Sequence, residues 1–185
     1  MVEKSGLVII LGTPGSGKTT LALRLAAELR IPCFCKDDVK EPLFETLGAG
    51  DRDWSRKLSR ASFAAIIRLA ATQLASGPCI IEGNFRAEHV SPLREALERH
   101  AAHALQIRCR AEPREILRRF GARGRPAGHH DAALLAELGP EPQPAPYLDL
   151  PGPRLDYASD QPAARQQIGP RVGDWLNLDI RTAPR

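Results

Sequence analysis

Apolar residues fall along this chain in two alternating patterns, short unbroken runs and longer stretches with helical spacing. The run Leu7-Val8-Ile9-Ile10-Leu11 reads as a buried strand. It leads into a helix-forming stretch through Thr20 to Ala27, which Glu28-Leu29-Arg30 closes and Pro32 stops. Cys33-Phe34-Cys35 is a second short strand, and residues 41–47 form a short helix ended by Gly48. A longer helix is expected over 54–75, with Leu58, Ala61, Ala65, Leu69 and Thr72 along its inward side and Gly77-Pro78 as its stop. Cys79-Ile80-Ile81 is the third strand. Ser91 as N-cap and Pro92 at the first helical position then start a helix to about Ala101. A strand over 104–109, a helix over 114–120 opened by Glu112-Pro113, and a short helix over 131–138 follow. Residues 139–153 form a stiff, Pro-rich connector, leading to a last strand over 154–157, a helix over 163–176 and a frayed tail from Asp179 to Arg185. Strands alternating with helices give a three-layer α/β sandwich, a parallel sheet of five strands with helices on both faces.

Between the first strand and its helix lies Gly12-Thr13-Pro14-Gly15-Ser16-Gly17-Lys18-Thr19, the P-loop pattern G-x-x-x-x-G-K-[ST] in its required strand-to-helix setting. The glycines admit conformations closed to residues with a Cβ, so that successive N–H groups turn inward around a phosphate, and the helix start adds a positive field. In this pattern Lys18 reaches the terminal phosphates and Thr19 ligates Mg²⁺, with Thr20 completing the loop. The chain is therefore expected to have the P-loop NTPase fold, with ATP and Mg²⁺ as cofactors.

In an open parallel sheet the ligand crevice lies beyond the carboxyl ends of the strands, so Asp37 and Asp38, after the second strand, would face the P-loop, with Lys40 nearby. Glu82 closes the third strand where a Walker B acid belongs, and Asn84 follows it on the acceptor side. A glutamate in place of the commoner aspartate allows metal contact through water. Pairing with a lysine or arginine is its alternative use. Arg118, Arg119, Arg123 and Arg125 lie within eight residues of a segment rich in glycine, and guanidinium groups suit a short lid, over about 113–131, that closes on a γ-phosphate. The catalytic set is then Lys18, one of the two aspartates, and Arg118, Arg123 and Arg125. His129 and His130 project in different directions and have no partners spaced for a metal site.

Composition adds limits. The chain has 185 residues, 43% of them apolar, enough for one α/β domain with a real core. A net charge of +4 without a Lys/Arg block suits phosphate ligands and gives no sign of nucleic acid. Cys33, Cys35, Cys79 and Cys109 form no C-x-x-C pair and read as reduced thiols. The first strand begins within a few residues, and no apolar run is long enough for a membrane span, so the expected location is the cytoplasm.

Taken together, GTPGSGKTT, KDDVKE, IIEGNF and the segment ending RPAGHHD resemble the P-loop kinase-like ATPases labelled AAA-33 or zeta-toxin-like, relatives of chloramphenicol phosphotransferase, polynucleotide kinase and gluconate kinase. The resemblance covers roughly residues 7 to 131. It implies transfer of a γ-phosphate to a hydroxyl of a small molecule, with Asp37 as general base, Lys40 as its basic partner and Asp38 as the second choice. Action on a nucleotide-sugar or a nucleic-acid end, and a non-catalytic ATP-binding module, are the alternatives.

Overall fold

The computed structural model describes residues 5–122, 124 and 129–178. Its strands and helices alternate as β1 (Gly6–Gly12), α1 (Lys18–Leu29), β2 (Cys33–Cys35), α2 (Lys36–Leu47), α3 (Arg52–Gln73), β3 (Cys79–Glu82), α4 (Val90–Arg99), β4 (His103–Arg110), α5 (Pro113–Gly121), α6 (Asp131–Leu138), β5 (Arg154–Ala158) and α7 (Pro162–Leu176). The five strands form one sheet in the order β2-β3-β1-β4-β5, and every pairing is parallel. In register, Val8 lies between Ile80 and Leu105, which makes β1 the central strand.

Because side chains alternate across a strand, β1 feeds two cores. Leu7, Ile9 and Leu11 pack with Phe63, Ile66 and Ala70 of α3 and with Leu93 and Leu97 of α4. Val8 and Ile10 pack on the other face with Leu21 and Leu25 of α1 and with Ile168 and Val172 of α7. The expected three-layer α/β architecture is therefore the observed one.

Three local expectations need correction. Helix α2 begins at Lys36, directly after β2, and not at residue 41. Two acids in its first turn favour the start electrostatically, and Lys36, Lys40 and Phe44 at four-residue spacing bury one face. The helix therefore runs through Pro42 despite the missing N–H donor. In α3 the buried residues are Ser55, Leu58, Ser62, Phe63, Ile66, Ile67, Ala70 and Ala71, while Leu69 and Thr72 are exposed and Ala61 and Ala65 lie outside the buried set. The bulky set removes more apolar surface from water than the alanine-rich stripe would, and this difference selects the inward face. Finally, Ser91 lies inside α4. A single 3₁₀ turn at Ala87–His89 precedes the helix, and His89 Nδ1 accepts from the Arg86 N–H at 2.9 Å.

The Pro-rich connector is pinned to the core. Leu148 and Leu150 are buried, and the buried Gln106 side chain binds both the N–H and the C=O of Leu148, at 2.8 and 3.1 Å. No described helix is long and apolar enough to cross a membrane. The expected tail at 179–185 lies outside the described residues.

Candidate active site

The loop from Gly12 to Thr19 joins the central strand to α1. Gly15 and Gly17 hold φ of +88° and +86°, and a Cβ on Gly15 would meet the Ile116 carbonyl oxygen at 2.7 Å, because α5 packs against the loop. Both positions therefore need glycine. Lys18 Nζ donates to the Thr13 carbonyl at 3.2 Å, so the lysine folds back over its own loop. Thr13, Ser16 and Lys18 are buried, and Ser16 Oγ has no hydrogen-bond partner among the described residues. Pro14 is half-buried, and Thr20 is exposed on α1. An orphaned buried hydroxyl costs free energy unless a ligand satisfies it, and here it sits inside a cradle shaped for oxyanions.

Glu82 emerges from β3 beside this loop. Its Oε2 accepts from the Thr19 hydroxyl at 3.2 Å, and its Oε1 lies 4.0 Å from Lys18 Nζ. Burial, above all, holds the Glu82 carboxyl above the ordinary glutamate range, with Lys18 opposing that effect. A hydroxyl and a carboxylate side by side are hard oxygen donors of the kind Mg²⁺ takes, so the pair fits that ion. Its other sequence-level use, an ion pair with a lysine, is also present in part.

A cleft of about 380 Å³ runs outward from Lys18, Thr19 and Glu82. Asp37, Lys40 and Asn84 line it too, so most of the residues assigned from sequence to the acceptor side meet there. Lys36 Nζ lies 2.5 Å from Asp37 Oδ1, which fixes the carboxylate at the start of α2. Lys40 Nζ donates to Ser55 Oγ at 3.0 Å and sits 4.9 Å from the Phe44 ring centroid. Asp38 is exposed and is not among the cleft-lining residues, and its carboxyl is raised above the usual aspartate range, by partial desolvation first and then by the neighbouring Glu41 and Asp37 carboxylates. His129 is buried 3.0 Å from Glu41 Oε1, edge-on to Phe44. Among the described residues no group of three His, Cys, Asp or Glu is placed to hold a metal.

Of the expected lid arginines, Arg123 and Arg125 lie outside the described residues. Arg118 is exposed and pairs with Glu115 at 2.7 Å. Its neighbour Arg119 is the one at the P-loop: one terminal nitrogen donates to Ser159 Oγ at 2.8 Å and would lie 3.4 Å from a Cβ on Gly17. Both guanidinium groups hold Glu115 well below its ordinary range, at about 2, with Arg118 first. The sequence carried the signal for Arg119. Ile116 and Phe120 are the buried positions of α5, and a residue three after the first and one before the second flanks that face, whereas Arg118 points away from it.

A family model described as an AAA domain, AAA_33, matches residues 7–139, which hold the P-loop, Asp37, Glu82 and α5. The chain belongs to this family. It is thus a P-loop kinase-like ATPase. Among solved structures it is similar to a protein named "putative kinase" from Chloroflexus aurantiacus, at 32% identity and a TM-score of 0.80, over 94% of this chain and 97% of that one. The fold is shared with APS kinase from Mycobacterium tuberculosis, solved in complex with AMPPNP and APS, at 20% identity, TM-score 0.60 and coverage of 94% and 98%. A gluconokinase from Sinorhizobium meliloti shares it at 15% identity, TM-score 0.54 and coverage of 95% and 96%. No curated protein matches the chain.

Proposed function

We propose that this AAA_33 protein is an ATP- and Mg²⁺-dependent phosphotransferase that moves a γ-phosphoryl group to a hydroxyl of a small molecule. The observation that carries this reading is the placing of Asp37 on the same cleft wall system as Lys18, Thr19 and Glu82, so that a base and a phosphate cradle share one solvent-accessible space. Similarity to a protein named as a kinase supports the same conclusion.

The chain's own residues would divide the work as follows. The loop amides, Ser16 and Lys18 bind and orient the triphosphate, and Lys18 offsets charge on the transferring group. Thr19 and Glu82 would hold the metal, which supplies charge neutralisation at the phosphate oxygens. Asp37 takes the acceptor's hydroxyl proton as the acceptor oxygen bonds to the γ-phosphorus and the bond from that phosphorus to the bridging oxygen breaks, releasing ADP. Arg119, standing beside Gly17, caps the phosphate end from the α5 side. Four free thiols suit a reducing, cytoplasmic setting.

The test is acceptor-dependent ADP release by the wild type and by Asp37→Asn. Loss of transfer by at least about a hundredfold, with AMPPNP affinity retained, is expected for removal of a general base. Equal transfer by both proteins would move the base elsewhere. Saturable ATP binding with no transfer to any acceptor would favour the non-catalytic module.

A further inference from the structure

The cleft wall beyond Asp37 is strongly cationic. Arg52, Arg56 and Arg60 recur every four residues along α3, which puts them on one side of that helix, and all three line the cleft. Arg86 joins them from the segment after β3, and the buried Lys36 and Lys40 lie deeper. Carboxylates balance part of this charge. Arg52 pairs with Glu137 of α6, Arg56 with Asp53 at 3.0 Å, and Lys36 with Asp37. Arg60 and Arg86 have no ion pair or side-chain hydrogen bond among the described residues, yet they come from two separate elements and face one space.

A solvated basic helix face shows its arginines paired along their own helix, as Arg56 is with Asp53, or turned to bulk water; Arg60, though exposed, instead lines the same cleft as a guanidinium from another segment. A pocket built for a neutral polyol would present amides, hydroxyls and carboxylates that match hydroxyl groups. Asn84, Ser59 and Glu88 supply such groups here, but the wall adds planar, permanently charged forks, which suit oxyanions bidentately. The triphosphate does not account for them, since its own cations, Lys18 and Arg119, belong to the loop and to α5.

We propose that the acceptor is itself an anion, an alcohol carrying a phosphate, sulfate or carboxylate group that Arg60 and Arg86 bind while its hydroxyl meets Asp37. This rests on the phosphotransferase reading and deepens it by naming the substrate class.

Paired compounds test it: glycerol against glycerol 3-phosphate, glucose against gluconate, and adenosine against AMP, each with ATP and Mg²⁺ and with ADP release as the readout. The charged member of at least one pair should show a kcat/KM at least about tenfold higher, and added salt should erode that advantage. In Arg60→Ala/Arg86→Ala the effect should appear as a rise of about ten- to a hundredfold in acceptor KM, with the ATP KM unmoved; Arg68→Ala, on the same helix but off the cleft, should change neither. Binding is measured separately by calorimetry on the protein loaded with Mg²⁺ and AMPPNP, so that anions cannot enter the P-loop. If the charged compounds bind this form no better than the neutral ones, or if the double variant binds them as well as the wild type with its fold intact, the inference is overturned. A charged compound that binds and is never phosphorylated would overturn the transfer reading and leave the anion site standing.

Discussion

Ser16→Ala should make the ligand-free protein more stable and a worse nucleotide binder. Ser16 is completely buried, and its hydroxyl has no partner among the described residues. A buried polar group left unsatisfied costs about 1–3 kcal/mol, and alanine removes that group while keeping the backbone of the loop. Part of the gain is lost because the oxygen also fills space, at 2.5 Å from where a Cβ on Gly12 would lie. For a chain of this size 1 kcal/mol shifts Tm by about 2–4 °C, so a rise of about 2–6 °C is expected by calorimetry without ligand. The nucleotide reverses the sign. A hydrogen bond to a charged phosphate is worth about 1.5–3 kcal/mol, which corresponds to a loss of about ten- to 150-fold in AMPPNP affinity. The two measurements together are diagnostic: a variant that melts lower, or one that melts higher but binds AMPPNP as well as the wild type, would refute the idea that this hydroxyl is held in reserve for a phosphate.

Other perturbations follow from the same geometry. Burial raises the Glu82 carboxyl, so its contribution to stability is complete below the ordinary glutamate range and is lost as pH rises through the folded value; Glu82→Gln should therefore melt higher than the wild type at pH 8, with the gap closing toward acid. The same variant should lose Mg²⁺-dependent nucleotide affinity, and wild-type affinity should weaken on acidification sooner than an ordinary carboxylate would dictate, both read from AMPPNP titrations across pH. Arg119→Ala should raise the ATP KM at least about fivefold, whereas Arg118→Ala, whose guanidinium is exposed, should stay within about twofold, by steady-state kinetics. Gln106→Leu orphans the Leu148 N–H and should cost about 1–3 kcal/mol in urea unfolding.

The parts of this molecule that were legible in its sequence are those in which chemistry and backbone are specified by neighbouring residues. The P-loop declares itself within eight positions because glycines, lysine and hydroxyl must occur in that order to surround a phosphate, and Glu82 is found by its place at the end of an apolar run. The inward face of α3 was not legible. Several stripes on a 22-residue helix carry apolar residues, and only the shape of the sheet beneath selects Phe63 and Ile66 over Ala65 and Leu69. The same limit applies to Arg60 and Arg86. They are far apart in sequence and come to line one cleft only after α3 has been turned by its core. The start of α2 at Lys36 was not legible either, since Lys36, Lys40 and Phe44 bury one face only once the core is formed, and the helix then runs through Pro42.

The two halves of the cleft are supported unequally. The phosphate half hangs on β1 and β3, strands whose residues are buried throughout and whose apolar side chains feed the two cores. The acceptor half hangs on β2, a three-residue edge strand, and on the outward positions of α3, where Arg56 and Arg60 lie outside the buried set. Substitutions at those positions alter the charge and shape offered to an acceptor at little cost to folding, because they remove no core contact. If the proposed anionic acceptor binds as argued, the arginines of α3 and Arg86, which line the cleft, are where acceptor preference would be set.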